Sequence, residues 1–284
     1  MSLPQRVGVI GGGTMGAGIA QTFAQAGAAV VVVERDADAA RSAHQRISSG
    51  VERAAERDSS FDVAEVVDRV LAVDDYDRLS DVELVVEAVP EVADLKLTAL
   101  RRAESVIPDG SWLVTNTSSL SVSDLAAGLS RPQRFCGLHF FNPVPRSSLV
   151  EVVRGDASDD HLVELAASWV EALGKTPITV RDSPGFASSR LGIALALEAM
   201  RMLEDGVASA EDLDTAMVLG YRHATGPLRT TDLVGLDVRL GIAEHLAQTV
   251  GDRFEPPQIL RDKVAAGHLG RKSGRGFFDY SGSE

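Results

Sequence analysis

His139 and Glu151 are the two side chains in this 284-residue chain whose types and spacing most plainly permit acid–base chemistry. His139 ends an apolar run at 135–139 and opens the loop Phe140-Phe141-Asn142-Pro143-Val144-Pro145. Glu151 lies twelve residues on, inside a second apolar run at 149–153. An imidazole exchanges a proton near neutral pH, its unperturbed pKa being about 6.5. If the chain reverses between the two runs, the carboxylate reaches the second ring nitrogen, where it sets the tautomer and stabilises the imidazolium. A lone His or Glu at a strand end ordinarily serves structure; the pair, beside Ser118 and Asn142, reads as a site. The chain's only asparagines, Asn116 and Asn142, each follow a strand-like run, and two prolines stiffen the second loop. Phe140 and Phe141 read as packing groups. Of the other histidines, 44 and 161 fall in helical patterns, 245 and 268 read as surface groups, and His223, in a loop, is a second choice.

A second motif supplies a place for a cofactor. Gly11-x-Gly13-x-x-Gly16 follows a valine-rich run at 6–10 directly and opens a helix at 14–26, the context a dinucleotide-binding turn requires. Gly11 permits the tight turn, Gly13 lets the backbone approach a pyrophosphate, and Gly16 allows close packing of helix on strand. Thr14 and Met15 belong to the same turn, whose N–H groups meet the phosphate charge. Glu34 ends the second strand, 29–34, and stands 21 residues after Gly13. There it can accept from the ribose hydroxyls of NAD and would oppose the 2′-phosphate of NADP. Arg35 softens that preference, so NAD is favoured without exclusivity. FAD uses the same turn; the later motifs decide against it.

These groups need elements that bring them to one sheet edge. Further strands are expected at 70–73, 84–88, 112–115, 135–139, 149–153 and 177–180, and helices at 36–57, 91–105 and 159–173. That alternation predicts βαβ units on a mostly parallel sheet. After residue 181 the pattern changes. Asp182-Ser183-Pro184-Gly185 is read as the start of a long helix through 203, apolar around most of its circumference. Helices at 209–219, 236–250 and from Pro256-Pro257 to about 267 follow, and the aromatic segment 277–280 is expected as a last strand. The expected fold is an α/β, Rossmann-type doubly wound sheet over 1–182, followed by an all-helical domain over 183–284.

Composition narrows the partners. With 41 acidic and 28 basic side chains the net charge is −13, which opposes non-specific nucleic-acid binding. The apolar runs are too short or too punctuated to span a membrane. Only five residues precede the first run, leaving no room for a leader, and a cytoplasmic location is expected. The single cysteine, Cys136, and the lack of a His/Cys cluster argue against a disulfide and against a metal.

The chain resembles the 3-hydroxyacyl-CoA dehydrogenase family of the short-chain type, particularly the bacterial 3-hydroxybutyryl-CoA dehydrogenases, over nearly its full length. The resemblance is carried by the fingerprint at 11–18, Val86-Glu87-Ala88 with Glu91 and Lys96, Asn116-Thr117-Ser118-Ser119, and residues 139–145. It continues through Asp182-Ser183-Pro184-Gly185-Phe186, Gly226-Pro227, Asp232-Leu233-Val234-Gly235-Leu236-Asp237 and residues 270–277. It implies NAD-dependent oxidation of an (S)-3-hydroxyacyl-CoA, with His139 as base and Glu151 as its orienting acid. Ser118 then contacts the substrate 3-oxygen and Asn142 the nicotinamide side. Glu91 and Lys96 contact NAD, Ala88 lines the groove, and Asn116 and Lys272 join the cofactor set. The resemblance also implies a homodimer formed through the helical domain.

Two departures stand out. Ser189 occupies the place of a family asparagine that holds the substrate, and a shorter hydroxyl there acts through water or passes the role to Ser118. Residues 222–224 also differ from the family pattern. The resemblance puts Arg57, with Arg41, Arg46 and Arg53 on the same helix, close to where a related enzyme has a CoA-contacting lysine, with a salt-bridged surface helix as the even alternative. Three other activities stay open: a 3-hydroxyadipyl-CoA dehydrogenase, an L-gulonate-type or other free hydroxy-acid dehydrogenase, and a catalytically silent NAD-binding protein. The last would be expected to lack the His/Glu pair. The absence of lysine from the helix after Gly185 disfavours the lysine-dependent hydroxy-acid enzymes.

Overall fold

Valine-rich runs that are apolar on both faces must be covered on both sides. The computed structural model describes residues 3–282. The chain divides into two compact units, Met1–Ser183 and Pro184–Glu284. The first unit carries eight strands: β1 (Arg6–Ile10), β2 (Ala29–Val33), β3 (Val70–Val73), β4 (Leu84–Glu87), β5 (Trp112–Thr115), β6 (Phe135–Phe140), β7 (Leu149–Arg154) and β8 (Thr176–Arg181). They form one sheet in the order β3-β2-β1-β4-β5-β6-β7-β8. Every neighbouring pair is parallel except β6–β7. The link between those two is too short for a parallel crossover, which needs a dozen or more residues, so the chain reverses. That reversal sets His139 opposite Glu151.

Helices of this unit are α1 (Thr14–Gln25), α2 (Ala37–Ala55), α3 (Val63–Asp68), α4 (Ala93–Glu104), α5 (Val122–Ala127) and α6 (Asp160–Ala172). The strand order changes direction between β1 and β4, where a doubly wound sheet leaves a crevice. Gly11, in that crevice, donates its N–H to Val33 O at 2.9 Å. Two glycines near the start of α1 would weaken an exposed helix, but a Cβ on Gly16 would lie 1.7 Å from Gly11 O. Close backbone approach therefore decides that position. The short helices α3 and α5 are absent from the sequence reading because six residues give too little period. Each is announced only by its cap, Asp62 accepting from Glu65 N and Ser121 from Asp124 N.

The second unit is helical: α7 (Ser188–Glu204), α8 (Ala210–Thr215), α9 (Pro227–Val234), α10 (Leu236–Val250) and α11 (Gln258–Ala265). Its core gathers Ile193, Leu197 and Met200 of α7 with Leu228, Leu246 and Leu260. Three expectations are corrected here. The long helix begins at Ser188 rather than at the Asp-Ser-Pro-Gly signal, because Gly185 and Phe186 take positive φ (73° and 46°) and turn the chain first. The helix expected at 209–219 is regular only to Thr215 and then widens over Ala216–Gly220. Segment 277–280 is not a strand. The Asp232 carboxylate takes the N–H groups of Phe277 and Phe278 (2.8 and 2.9 Å), which leaves isolated bridges at Gly270–Arg275 and Arg275–Asp279. Helix α9 was not expected; Asp214 caps it by accepting from Leu228 N and Arg229 N, both at 2.9 Å.

Among the described residues, no helix is long and apolar enough to cross a membrane, and no group of three or more His, Cys, Asp or Glu side chains could hold a metal ion.

Candidate active site

A cleft of about 880 Å³ opens over the carboxyl ends of β1, β2, β4, β5 and β6. Its floor begins at the glycine turn. Helix α1 has no acidic side chain in its first turn and no side-chain cap from Gly13, so its first N–H donors are left for an anion. A Cβ on Gly13 would meet no protein atom within 4 Å; the space above it is open to a ligand. These features fit the pyrophosphate of NAD. Glu34 lines the same cleft, and its Oε1 accepts from Gly12 N at 2.7 Å. Arg35 also lines it, with its guanidinium drawn to Asp36 at 3.0 Å. Thr14, Met15 and Ala88 form part of the wall.

Toward β6 the cleft becomes chemical. His139 Nδ1 lies 2.7 Å from Glu151 Oε2, and the carboxylate has no solvent exposure. An ionised carboxylate only accepts, so Nδ1 carries the proton and exchange falls to Nε2. The Phe141 ring lies against the imidazole, centroids 4.5 Å apart, and lines the cleft. Asn116 is more than a lining group: its Oδ1 accepts from Phe140 N at 2.9 Å, tying the end of β5 to the residue after His139. Asn142 lines the cleft from the following loop. Besides its prolines, that loop is held by Lys175, whose buried Nζ donates to Val144 O and Ser147 O at 2.7 and 2.6 Å.

Ser118 is positioned by a chain of charges. Glu91 Oε1 accepts from Thr117 Oγ1 (2.6 Å), Ser118 N (2.8 Å) and Ser119 N (2.9 Å), with Ser118 Oγ at 3.3 Å. Burial works against this carboxylate's charge, but the Lys96 ammonium and these donors outweigh it and hold the pKa at about 2. Lys96, itself 1% exposed, sits 3.2 Å from Glu91 and 2.9 Å from Glu87. Glu87 is fully buried and also accepts from Val89 N (2.7 Å) and Thr115 Oγ1 (2.6 Å). Its place at the hub was not read from the sequence, although an acid ending an otherwise apolar strand was the available signal. Arg46 has a similar unforeseen role: it donates to Gly12 O at 2.6 Å and so braces the glycine turn.

Not every expected site residue lines the cleft of the first unit. Arg57 is exposed just beyond α2 and is not among the cleft-lining residues. Ser189 and Lys272 belong to the second unit. Ser189 is half-buried in the first turn of α7, and Lys272 is paired with Asp237 at 2.6 Å. Cys136 is buried, and burial pushes its thiol up to about 12, so it offers no thiolate.

Known proteins resemble this chain over nearly its whole length. The profile of the 3-hydroxyacyl-CoA dehydrogenase NAD binding domain matches residues 6–183, and that of the 3-hydroxyacyl-CoA dehydrogenase C-terminal domain matches residues 185–280. A probable 3-hydroxybutyryl-CoA dehydrogenase of Deinococcus radiodurans is 39% identical over 277 residues, 97% of this chain and 100% of that protein. A 3-hydroxybutyryl-CoA dehydrogenase of Mycobacterium tuberculosis is 40% identical, covering 97% of this chain and 98% of its own. The crystal structure of (S)-3-hydroxybutyryl-CoA dehydrogenase from Ralstonia eutropha superposes with a TM-score of 0.93 at 38% identity, covering 98% of this chain and 99% of that one. With an NAD-binding first domain and a matching second one, the chain belongs to the 3-hydroxyacyl-CoA dehydrogenase family and is an NAD-dependent oxidoreductase of 3-hydroxyacyl-CoA substrates.

Proposed function

We propose that the chain interconverts (S)-3-hydroxybutyryl-CoA and its 3-oxo product, with His139 as the catalytic base and Glu151 as its positioning acid. The observation that carries this reading is the 2.7 Å contact of buried Glu151 with His139, which lines the same cleft as the glycine turn. The short-chain substrate is supported by the relatives named above, which are called 3-hydroxybutyryl-CoA dehydrogenases.

Bound NAD supplies the hydride acceptor, so that oxidation takes a hydride from substrate C3 and leaves the hydroxyl proton to the protein. His139 takes that proton at Nε2, since Nδ1 faces Glu151. Glu151 stabilises the imidazolium and, being buried, does so without competition from water. Ser118, fixed by Glu91, donates to the oxygen at C3, where the carbonyl forms. In the reverse direction His139 returns its proton to that oxygen. Asn142 orients the nicotinamide side, and Ser189 assists with the substrate in place of the family asparagine. The enzyme acts as a homodimer through its helical unit, a reading supported by Leu219, Tyr221 and Leu191, which are 76%, 75% and 71% exposed there.

A substrate panel followed at the NADH absorbance tests the proposal. It compares short, medium and long 3-hydroxyacyl-CoA thioesters, 3-hydroxyadipyl-CoA and free L-gulonate. The highest kcat/KM is expected with the four-carbon thioester. Turnover of the free acid without turnover of any thioester would overturn the proposal, and a preference for the dicarboxylate would reassign the substrate.

A further inference from the structure

His139 lines one end of the cleft; the other end is built around Glu34, where the adenosine of the cofactor belongs. Helix α4 runs along this wall. Leu95, Ala99 and Arg102 line the cleft at a spacing of four and then three residues, which puts them on one helical face. At 1.5 Å per residue the face carries Arg102 about 10 Å beyond Leu95. Val33, Arg35 and Tyr76 line the cleft with it.

The guanidinium of Arg102 lies over the Tyr76 ring, its Cζ 4.2 Å from the centroid. One side of the cation is thus already occupied by an aromatic ring. Its charge is also unspent. Some exposed arginines elsewhere are taken up by carboxylates, among them Arg6 by Asp81, Arg41 by Asp38 and Arg154 by Asp160. Arg35, at this same end, is drawn to Asp36. Among the described residues, none of the ion pairs engages Arg102.

We propose that Arg102 is the surface on which the adenine of the dinucleotide stacks, with Tyr76 holding its guanidinium flat from behind. A guanidinium is planar and weakly hydrated, so it stacks on a second π face at little desolvation cost. A base stacked on a cation and backed by an aromatic gains from dispersion and from the charge together. Arg102 therefore contributes affinity for the adenosine half of the cofactor and takes no part in proton or hydride movement. This goes beyond the acyl-CoA reaction proposed above, and its test involves no acyl-CoA.

The experiment measures dissociation constants of NADH, ADP-ribose and reduced nicotinamide mononucleotide by fluorescence titration, below each variant's melting temperature. Arg102→Ala is expected to weaken NADH and ADP-ribose alike by about tenfold, the scale of a lost base stack. It should leave the mononucleotide, which has no adenine, within about twofold. Arg102→Lys keeps the charge and loses the plane, so it should recover less than half of the lost affinity on a logarithmic scale. Tyr76→Leu should weaken NADH in the same direction and by less. Three results would overturn the proposal: NADH binding within twofold of wild type in Arg102→Ala, an equal loss for the mononucleotide, or full recovery by lysine.

Discussion

His139 and Glu151 are register partners across the antiparallel β6–β7 ladder, with Nδ1 and Oε2 2.7 Å apart. Side chains directly opposite on one sheet face have Cβ atoms only about 5 Å apart. The ladder therefore delivers the carboxylate to the imidazole without help from a loop. Glu151→Gln keeps the shape and removes the charge. It is expected to lower kcat by roughly 10²-fold or more, as loss of a base's orienting acid does, while KM for NAD stays within about twofold. Steady-state kinetics check this; an unchanged kcat would remove Glu151 from the mechanism.

Lys96 and Glu87 form a buried ion pair, 1% and 0% exposed. Removing one partner leaves an uncompensated charge in the core. Lys96→Met should cost about 3–5 kcal/mol of stability, and adding Glu87→Gln should restore part of it. Urea denaturation of the single and double variants measures both. A loss that simply adds would show that the two groups are not coupled.

Gly13 and Gly16 separate binding from folding. Gly13→Ala adds a methyl where no protein atom lies within 4 Å, at φ −62°, so the melting temperature should hold. The methyl occupies the approach of the pyrophosphate, and KM for NAD should rise about tenfold or more. Gly16→Ala meets Gly11 O at 1.7 Å and should lose stability as well as cofactor binding. Thermal melts with NADH titrations distinguish the two; equal melting losses would contradict the assignment.

Glu91 gives a pH dependence. Its carboxyl is held at about 2 in the fold, well below the ordinary 4.5 of a glutamate, with burial opposing and Lys96 and the 117–119 loop donors prevailing. A depressed folded pKa means that its stabilisation is full above about 4.5 and is lost as pH falls toward 2. The side chain is about one-third exposed, so solvent screening reduces the contribution to on the order of 2 kcal/mol. The stability gap between wild type and Glu91→Gln, from denaturation at stepped pH, should be flat above pH 5 and narrow below 4.5. A gap that stayed constant down to pH 3 would contradict the assignment.

The sequence alone determined the local code. Val-rich runs spaced by helical patterns specify a covered parallel sheet, and a glycine turn set between strand and helix marks where a dinucleotide's phosphates go. His139 and Glu151 were legible because a short link forces a reversal and so a pairing. Tertiary structure decided what distant backbone and side chains do to one another. Asp232 takes the N–H groups of Phe277 and Phe278 and so prevents a terminal strand; Asp214 caps α9; Arg46 braces the turn; and Glu87, Lys96 and Glu91 join β4, α4 and the Ser118 loop. No period or propensity encodes such contacts, because a hydrogen bond over dozens of residues depends on where both ends arrive once the core has closed.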